Sequence, residues 1–296
     1  MTTSPLASRS ATRALLDAYG LSANKRLGQN FLVDNHVVER TMELAAIDAA
    51  DITLEVGPGI GTLTLALLQE AAHVTSIEAD RNLEPVLHAY ALQYGNFSYL
   101  MDDALKVSPE EIEKASGGEP SIMVSNLPYN VAATVTLTYL QKLASLRAAV
   151  VMVQKEVADR IAARPGGKEY GAYTVKLALY GTVSGRFEVG PSSFSPAPHV
   201  DSAVVRIDRA ERELPVPAAL VARTVDAAFA QRRKTIRNSM AAAGFEKEML
   251  NEAYTAADVA PTTRAETLPP ETFIQLAQEL DRLGAFADAE GDASHG

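Results

Sequence analysis

The chain has 296 residues, of which 47% are hydrophobic and 22% are charged, a balance that excludes the disordered and fibrous classes of protein. It contains no cysteine, which excludes disulfides, thiolate zinc sites and a cysteine nucleophile. The net charge of -10 would disfavour a nucleic-acid partner, but eleven acidic residues stand against three basic ones from Gly244 to the C terminus, which leaves -2 for residues 1–243. The overall charge therefore excludes no partner.

The N-terminal residues Met1 to Ser10 are rich in Ser and Thr and lack the apolar run of a secretory signal. No later apolar stretch has the length of a membrane span. We therefore expect a cytoplasmic protein with a flexible segment over residues 1–24 and no membrane partner. The five histidines lack the spacing of metal ligands, so we also expect no metal site.

From Asp51 onward, short β-branched runs alternate with helical patterns, as is typical of βαβ units with a parallel sheet. The predicted strands are Ile52–Val56, Val74–Glu78, Phe97–Met101, Ile122–Ser125 and Ala148–Val153, followed by an edge pair at Phe187–Phe194 and Ser202–Ile207. The unbroken apolar run of Ala148–Val153 suits a strand that is covered on both faces. We predict a doubly wound α/β domain over residues 25–212, with ligands at the carboxyl ends of its strands.

The pattern changes after Arg212, where Pro215 and Pro217 punctuate a linker. The segment from Ala218 to Leu283 then reads as a series of helices. We predict a small all-helical C-terminal domain over residues 213–284, followed by an acidic disordered tail over residues 285–296.

The first strand of the predicted sheet ends in a glycine-rich turn, Glu55-Val56-Gly57-Pro58-Gly59-Ile60-Gly61. Glycine lets the chain turn sharply and lets a ligand approach the backbone. The dinucleotide-binding pattern needs a further glycine where this chain has Thr62, and the phosphate-binding pattern with Gly-Lys-Ser/Thr is absent from the sequence. The turn therefore predicts a cofactor that lacks a pyrophosphate.

Carboxylates follow the next two predicted strands. Glu78 lies about 20 residues past the glycines, the spacing at which an acid reaches two ribose hydroxyls, whereas Asp80 is better placed to cap the following helix. The third strand ends at Asp102-Asp103, where a carboxylate can accept a hydrogen bond from the adenine amine of a cofactor. We assign the ribose to Glu78 and the adenine to Asp103.

The fourth strand ends in Asn126-Leu127-Pro128-Tyr129-Asn130. Proline fixes its own φ and favours an extended Leu127, so the carbonyls near it point in a set direction. The Asn126 side-chain oxygen and one such carbonyl can accept both hydrogens of an adenine N6 amine and favour its reactive, pyramidal form, while Tyr129 stacks on the base. The loop predicts direct transfer of a sulfonium methyl group to N6 without a metal or a strong base.

Positive charge is concentrated in residues 218–243, where five basic residues stand against one acidic residue. Such a segment either faces phosphates or forms a solvated helix face, and its charge alone does not decide between the two.

Together these motifs resemble the KsgA/RsmA-type small-subunit ribosomal RNA adenine dimethyltransferases, and the resemblance runs from about Lys25 to Leu283. Besides the glycine turn and the Asn126 loop, it rests on segments Leu27–Leu32, Gln154–Glu156, Ser193–Pro196, Val200–Arg206 and Gln231–Asn238. It implies a Rossmann-like class I methyltransferase with S-adenosylmethionine as cofactor. It also implies 16S ribosomal RNA in the small subunit as partner, late subunit assembly as the setting, and two methyl groups added to N6 of each of two adjacent adenosines near the RNA 3′ end. We expect a monomer.

The resemblance also implies residue roles. Asn30 and Leu32 would cover the cofactor, Gly57 and Gly59 would line the turn, and Asn126 would lie between cofactor and acceptor. Phe194 would form a second stacking wall opposite Tyr129, although without the resemblance it reads better as a core aromatic. The expected RNA contacts are Lys25, Arg26, Arg232, Arg233, Lys234 and Arg237.

Two alternatives remain open. A macrolide-resistance type adenine methyltransferase would share the fold and the Asn126 loop but would act on large-subunit RNA. A ribosome-assembly checkpoint protein would depend on binding more than on catalysis. The segments Gln231–Asn238 and Phe194-Ser195-Pro196 resemble the small-subunit group and favour it over the resistance enzymes.

Overall fold

The computed structural model describes residues 2–24, 28–231 and 233–287. Within these residues the chain divides into two units. The first comprises residues up to Ala158 together with Gly181–Arg209, and the second comprises Asp159–Tyr180 together with the residues from Ala210 onward.

The first unit is built on a seven-stranded sheet. The strands of the chain are β1 Phe31–Leu32, β2 Ile52–Val56, β3 His73–Glu78, β4 Phe97–Met101, β5 Ile122–Asn126, β6 Ala148–Gln154, β7 Gly181–Val189, β8 Phe194–Ser195 and β9 Ser202–Arg209. The sheet order is β4-β3-β2-β5-β6-β9-β7, with β1 and β8 paired separately. Strands β2 to β6 are parallel, and β9 runs antiparallel between β6 and β7. The predicted doubly wound α/β sheet is confirmed.

Helices connect the strands of this sheet and form the second unit. They are α1 Arg9–Tyr19, α2 Asn35–Ala45, α3 Thr64–Leu67, α4 Glu84–Gln93, α5 Pro109–Ser116, α6 Ala132–Lys142, α7 Lys155–Ile161, α8 Ala172–Ala178, α9 Ala218–Phe229, α10 Ile236–Ala242, α11 Lys247–Ala256 and α12 Pro270–Arg282. Local sequence explains several of their ends: a capping box between Ser108 and Glu111 begins α5, for example, and Gly117 ends it in a left-handed conformation. Among the described helices, none is both long and apolar enough to cross a membrane.

The sheet is buried most deeply at its centre. Six of the seven residues of β6 are buried, as the unbroken apolar run of that strand predicts. The helices on the two faces exclude water from these side chains.

The N-terminal residues differ from the flexible segment predicted for 1–24. Ser8 caps helix α1 by accepting a hydrogen bond from the Ala11 amide at 3.2 Å. Leu6 and Ala7 are buried in the core, and the Ser4 amide donates to Asn35 Oδ1 at 2.8 Å. A Ser/Thr-rich composition was therefore a poor guide, because a few apolar residues and a cap are enough to place this segment against the first unit.

The predicted edge strand Phe187–Phe194 is also corrected. Strand β7 ends at Val189, because a 3-10 turn over Pro191–Ser193 follows and Pro191 has no amide hydrogen for a ladder. Ser193 then accepts a hydrogen bond from the Val33 amide at 2.8 Å, and Phe194 pairs with Leu32 in the small sheet. Phe194 thus belongs to a different sheet from β7.

The second unit is helical, as predicted, but its boundaries differ. Phe286, expected in the disordered tail over residues 285–296, is buried against Phe245 in this unit, and residues 288–296 lie outside the described residues. Residues 159–180, expected in the α/β domain, belong to the second unit. Helix α8 packs beside α9 and α12. Tyr170 donates its hydroxyl hydrogen to the Leu268 carbonyl at 2.8 Å, and Lys176 forms an ion pair with Asp226 at 2.8 Å. A linear pattern cannot reveal these long-range contacts.

Candidate cofactor and acceptor site

A cavity of about 270 Å³ lies at the carboxyl ends of β2, β3, β4 and β5. Its volume is near the lower end of the range of roughly 300 to 1,000 Å³ that is typical of small-molecule sites. The structure brings together in its lining every predicted cofactor residue and the whole acceptor loop, namely Asn30, Leu32, Gly57, Gly59, Glu78, Asp103, Asn126, Leu127, Pro128 and Tyr129.

The glycine turn packs directly against the acceptor loop. Gly57 has φ +71°, and a Cβ there would lie 3.1 Å from Pro128 Cδ. Gly61 has φ +87°, and a Cβ there would lie 2.4 Å from a ring carbon of Tyr90, whose hydroxyl donates to the Ile60 carbonyl at 2.9 Å. Side chains at these two positions would displace their neighbours, so the turn requires glycine for space as well as for backbone conformation.

Glu78 is held in one orientation at the end of β3. Its side chain is buried, and it accepts hydrogen bonds from the Gly59 amide at 3.2 Å and from the Asp80 amide at 2.9 Å. Burial raises the pKa of the Glu78 carboxyl above its usual value. A carboxylate offers about four acceptor positions, so two backbone donors leave Glu78 able to accept further hydrogen bonds from a ligand.

Glu55 is a second buried carboxyl of the cavity, and its sequence position indicated only that it begins the glycine motif. Its Oε2 atom accepts hydrogen bonds from the hydroxyls of Thr64 and Ser76, both at 2.7 Å. Burial raises the pKa of Glu55 to about 7, the two hydroxyls oppose this shift, and the charge of Glu78 adds to it. A glutamate in an otherwise apolar strand is the signal that could have indicated a perturbed carboxyl.

Asp102 and Asp103 both line the cavity at the end of β4, and both are exposed. Asp103 Oδ1 accepts a hydrogen bond from the Leu105 amide at 3.0 Å. Asp102 Oδ1 accepts one from the Asp103 amide at 2.6 Å. These local bonds orient both side chains, and the structure leaves the preference for Asp103 as a prediction.

Residues 28–32 line the same cavity. Asn30 donates its amide hydrogen to the Gly28 carbonyl at 2.9 Å, and Leu32 is buried in β1. Gln29 donates to Asp80 Oδ2 at 2.8 Å and accepts from the Asn24 amide at 2.8 Å. The Gln29–Asp80 contact connects this segment to the turn after β3, and sequence patterns had not indicated it.

The acceptor loop is anchored at both ends. The Leu127 amide donates to the Met152 carbonyl at 3.1 Å, and the Pro128 carbonyl accepts from the Val131 amide at 3.1 Å. Leu127 is buried, whereas Asn126 and Tyr129 are partly exposed. The Tyr129 hydroxyl forms a hydrogen bond with Ser202 Oγ at 2.7 Å, which fixes the ring relative to β9. Burial raises the pKa of this tyrosine, so its hydroxyl stays protonated.

Phe194 does not form the second stacking wall in this structure. Its side chain is 0% exposed, belongs to the core of the first unit and is absent from the cavity lining. The reason is its pairing with Leu32 across β1 and β8, which places the side chain among buried neighbours. The alternative interpretation of Phe194 as a core aromatic describes its observed position.

The expected RNA contacts are only partly described. Lys25, Arg26 and Arg232 lie outside the described residues. Arg233, Lys234 and Arg237 lie before and within α10 in the second unit, and all three are exposed. Their exposure leaves their side chains accessible to phosphates, and RNA contact stays a prediction for them. The described residues contain no group of three or more acidic or histidine side chains that could hold a metal ion.

A mixed sheet with a glycine turn after β2 and carboxylates after β3 and β4 defines a Rossmann-like methyltransferase, and solved structures agree. A dimethyladenosine transferase from Plasmodium falciparum aligns with a TM-score of 0.75 at 23% identity, covering 86% of this chain and 98% of its own. The 23S rRNA methyltransferase ErmE aligns with a TM-score of 0.64 at 26% identity, covering 85% of this chain and 100% of its own. The predicted fold class is confirmed.

The ribosomal RNA adenine dimethylase model matches residues 20–282. The chain is 43% identical over 267 residues to the ribosomal RNA small subunit methyltransferase A of Magnetococcus marinus, covering 90% of this chain and 94% of that one. It is 40% identical over 289 residues to the protein of the same name from Bifidobacterium longum, covering 92% of each. The chain belongs to the ribosomal RNA adenine dimethylase family, and it is an RNA-modifying enzyme.

Proposed function

We propose that this enzyme transfers methyl groups from S-adenosylmethionine to N6 of two adjacent adenosines near the 3′ end of 16S ribosomal RNA, late in small-subunit assembly. It acts in the cytoplasm, as a monomer, on the RNA of the small subunit. The observation that supports this most strongly is the shared cavity, in which the Asn126 loop and the carboxylates Glu78 and Asp103 line one volume.

The charges of the cavity fit a positively charged cofactor. Its described lining contains four carboxylates, from Glu55, Glu78, Asp102 and Asp103, and no Lys, Arg or His. S-adenosylmethionine, when bound, supplies an electrophilic methyl group on a positively charged sulfur. Those of the four carboxyl groups that are ionised lower the energy of the bound cation, whereas they would repel a polyphosphate cofactor.

The order of the side chains along the sheet also fits this cofactor. Asp103 follows β4, Glu78 ends β3, the glycine turn follows β2, and Asn126 ends β5, and these four strands are neighbours in that order. With strands about 4.8 Å apart, the row spans about 14 Å. Adenine at Asp103, ribose at Glu78 and the amino-acid arm at the glycine turn would then bring the transferable methyl toward Asn126.

The acceptor loop supplies hydrogen-bond acceptors where an exocyclic amine needs them. The Asn126 side-chain oxygen would accept one hydrogen of N6, and the Leu127 carbonyl would accept the other, because the Pro128 carbonyl already bonds to Val131. Both acceptors draw the amine toward pyramidal geometry and stabilise the positive charge that develops on nitrogen. The proton leaves after the bond has formed, so no strong base is needed.

Tyr129 would position the base. Its ring is half-buried and its hydroxyl is bonded to Ser202, so little side-chain entropy is lost when a base stacks on it. An adenosine taken out of its RNA context would be stacked on this ring with N6 directed at Asn126.

Methylation of isolated ribosomal particles tests this proposal. The purified chain is incubated with methyl-labelled S-adenosylmethionine and either immature small subunits or large-subunit RNA. We expect label in small-subunit RNA with the wild type and a loss of about 100-fold or more with Asn126→Ala. Asn251→Ala is the matched control, because Asn251 is an exposed asparagine that does not line the cavity. Label confined to large-subunit RNA would contradict the proposed substrate.

The second candidate, an enzyme that acts on large-subunit RNA, is supported by the structural similarity to the 23S rRNA methyltransferase ErmE. The two RNA substrates of the same experiment decide between these activities. An assembly role that depends on binding is tested separately. Asn126→Ala is expected to abolish methylation. If subunit maturation then stays normal, or if maturation fails only because the variant protein stays trapped on the particle, binding and release are the main role of the chain.

A further inference from the structure

Two buried hydroxyls stand out in the first unit. Within residues 2–24, 28–231 and 233–287, Thr53 Oγ1 and Thr62 Oγ1 are buried without a hydrogen-bond partner. Thr53 is 0% exposed inside β2, and Thr62 is 4% exposed in the turn before α3. A buried hydroxyl without a partner destabilises a protein, so each one calls for an explanation.

The surroundings of these two hydroxyls differ. Thr62 lines the cavity that holds Glu78 and Asn126, and Thr53 does not. The missing partner of Thr62 can therefore come from a ligand, whereas no ligand in this cavity can reach Thr53. The neighbouring Thr64 shows the contrast within the same turn, because its hydroxyl already donates to Glu55 at 2.7 Å.

The amino-acid arm of S-adenosylmethionine carries a carboxylate, which needs hydrogen-bond donors when it is bound. This inference rests on the proposed function, in which the amino-acid arm lies at the glycine turn. A carboxylate in a low-dielectric cavity needs hydrogen-bond donors, and the described lining offers it no Lys, Arg or His. The lining carboxylates suit the ammonium and the sulfonium of the same cofactor, but they cannot donate to its carboxylate when ionised.

Three other side-chain donors that line the cavity already have a hydrogen-bond partner, and Asn130 belongs to the acceptor loop. Gln29 donates to Asp80, Asn30 donates to Gly28, and the Tyr129 hydroxyl bonds to Ser202. Asn126 is adjacent to the turn, and the proposed function assigns its side chain to the N6 amine of the acceptor base. The hydroxyl of Thr62 lies in the glycine turn itself, is buried, lines the cavity and has no hydrogen-bond partner.

We propose that Thr62 Oγ1 donates a hydrogen bond to the carboxylate of the S-adenosylmethionine amino-acid arm, and that the unpaired hydroxyl lowers the stability of the protein without cofactor in return for this contact. Thr62 is thus a binding residue at the position where the dinucleotide pattern would require glycine.

Isosteric substitutions test the contact. Thr62→Val removes the hydroxyl and keeps the shape, Thr62→Ser keeps the hydroxyl, and Thr53→Val is the matched control for an equally unpaired hydroxyl elsewhere. Calorimetric titration of the full chain should show a dissociation constant for S-adenosylmethionine about tenfold higher in Thr62→Val, because a hydrogen bond to a charged group is lost. Thr62→Ser and Thr53→Val should bind as the wild type does.

Two further measurements separate a contact from a structural effect. Without cofactor, urea denaturation should show Thr62→Val and Thr53→Val to be at least as stable as the wild type, since each loses an unpaired hydroxyl. Titration with 5′-methylthioadenosine, which has the nucleoside and sulfur but no amino-acid arm, should give equal affinities for Thr62→Val and wild type.

Equal binding of S-adenosylmethionine by Thr62→Val and wild type would overturn the inference and leave the proposed function intact. A matching loss of methylthioadenosine affinity, or reduced stability of Thr62→Val, would show that the hydroxyl acts on the fold and would also overturn it. If neither the wild type nor Thr53→Val binds S-adenosylmethionine, the proposed function itself fails.

Discussion

The buried carboxyl of Glu55 makes the stability of the cofactor-free protein depend on pH. Its pKa is raised from 4.5 to about 7 in the folded chain. The folded state therefore binds a proton more tightly than the unfolded state. The contribution of the protonated Glu55 carboxyl to the free energy of unfolding is fully present below pH 4.5 and is lost as the pH rises through about 7. At about 1.36 kcal/mol per pKa unit, the full loss is about 3 kcal/mol.

Glu55→Gln removes the ionisation and keeps an oxygen that can accept from Thr64 and Ser76. Between about pH 5 and about pH 8.5, the free energy of unfolding of the wild type should fall by about 2.5 kcal/mol more than that of the variant. Urea denaturation without cofactor, followed by circular dichroism, measures both profiles. Glu43→Gln, on the exposed face of α2, is the control and should follow the wild type. Parallel profiles of wild type and Glu55→Gln would refute the reasoning.

Three further predictions concern the two loops and the RNA surface. Gly57→Ala should lower the free energy of unfolding by about 1–2 kcal/mol in urea denaturation, because of its positive φ and its contact with Pro128; unchanged stability would contradict this. Tyr129→Ala should lower kcat/KM for RNA about 5- to 100-fold while Tyr129→Phe stays near wild type; equal losses in both would assign the effect to the hydroxyl. Arg233→Glu with Lys234→Glu should weaken particle binding and flatten its dependence on salt in a filter-binding titration; an unchanged slope would remove these residues from the RNA surface.

Sequence patterns predicted the strand ends well because each end combines two local signals. Strand β3 ends at Glu78 and strand β5 ends at Asn126, and in each case a polar residue follows buried ones. In a parallel sheet all such ends lie at the same edge, so local signals predict a shared site. This is why the glycine turn, Glu78, Asp103 and the acceptor loop meet in one cavity, whereas Asn30 and Leu32 were predicted only from the resemblance.

Features that depend on tertiary packing were not predictable in the same way. The burial of Phe194 follows from the pairing of β8 with a strand more than 160 residues earlier in the chain. The assignment of residues 159–180 to the second unit depends on contacts of α8 with helices much later in the sequence. The contact of Gln29 with Asp80 likewise joins segments whose proximity only the folded chain creates.

The role proposed for the Thr62 hydroxyl could not be predicted from the sequence, for a different reason. Sequence comparison with the dinucleotide pattern identified the position only by what it lacks, a glycine. Its burial and its missing partner are properties of the folded cavity, and they are the observations from which the binding role is proposed.

The central claim is that the Asn126 loop methylates N6 of two neighbouring adenosines in small-subunit RNA. The mass of the 3′ fragment of that RNA, measured after incubation of small subunits with the chain and S-adenosylmethionine, tests it most directly. We expect the fragment to gain four methyl groups with the wild type and with Asn251→Ala, and to gain none with Asn126→Ala. An unchanged fragment mass with the wild type, together with methyl groups on large-subunit RNA, would contradict it.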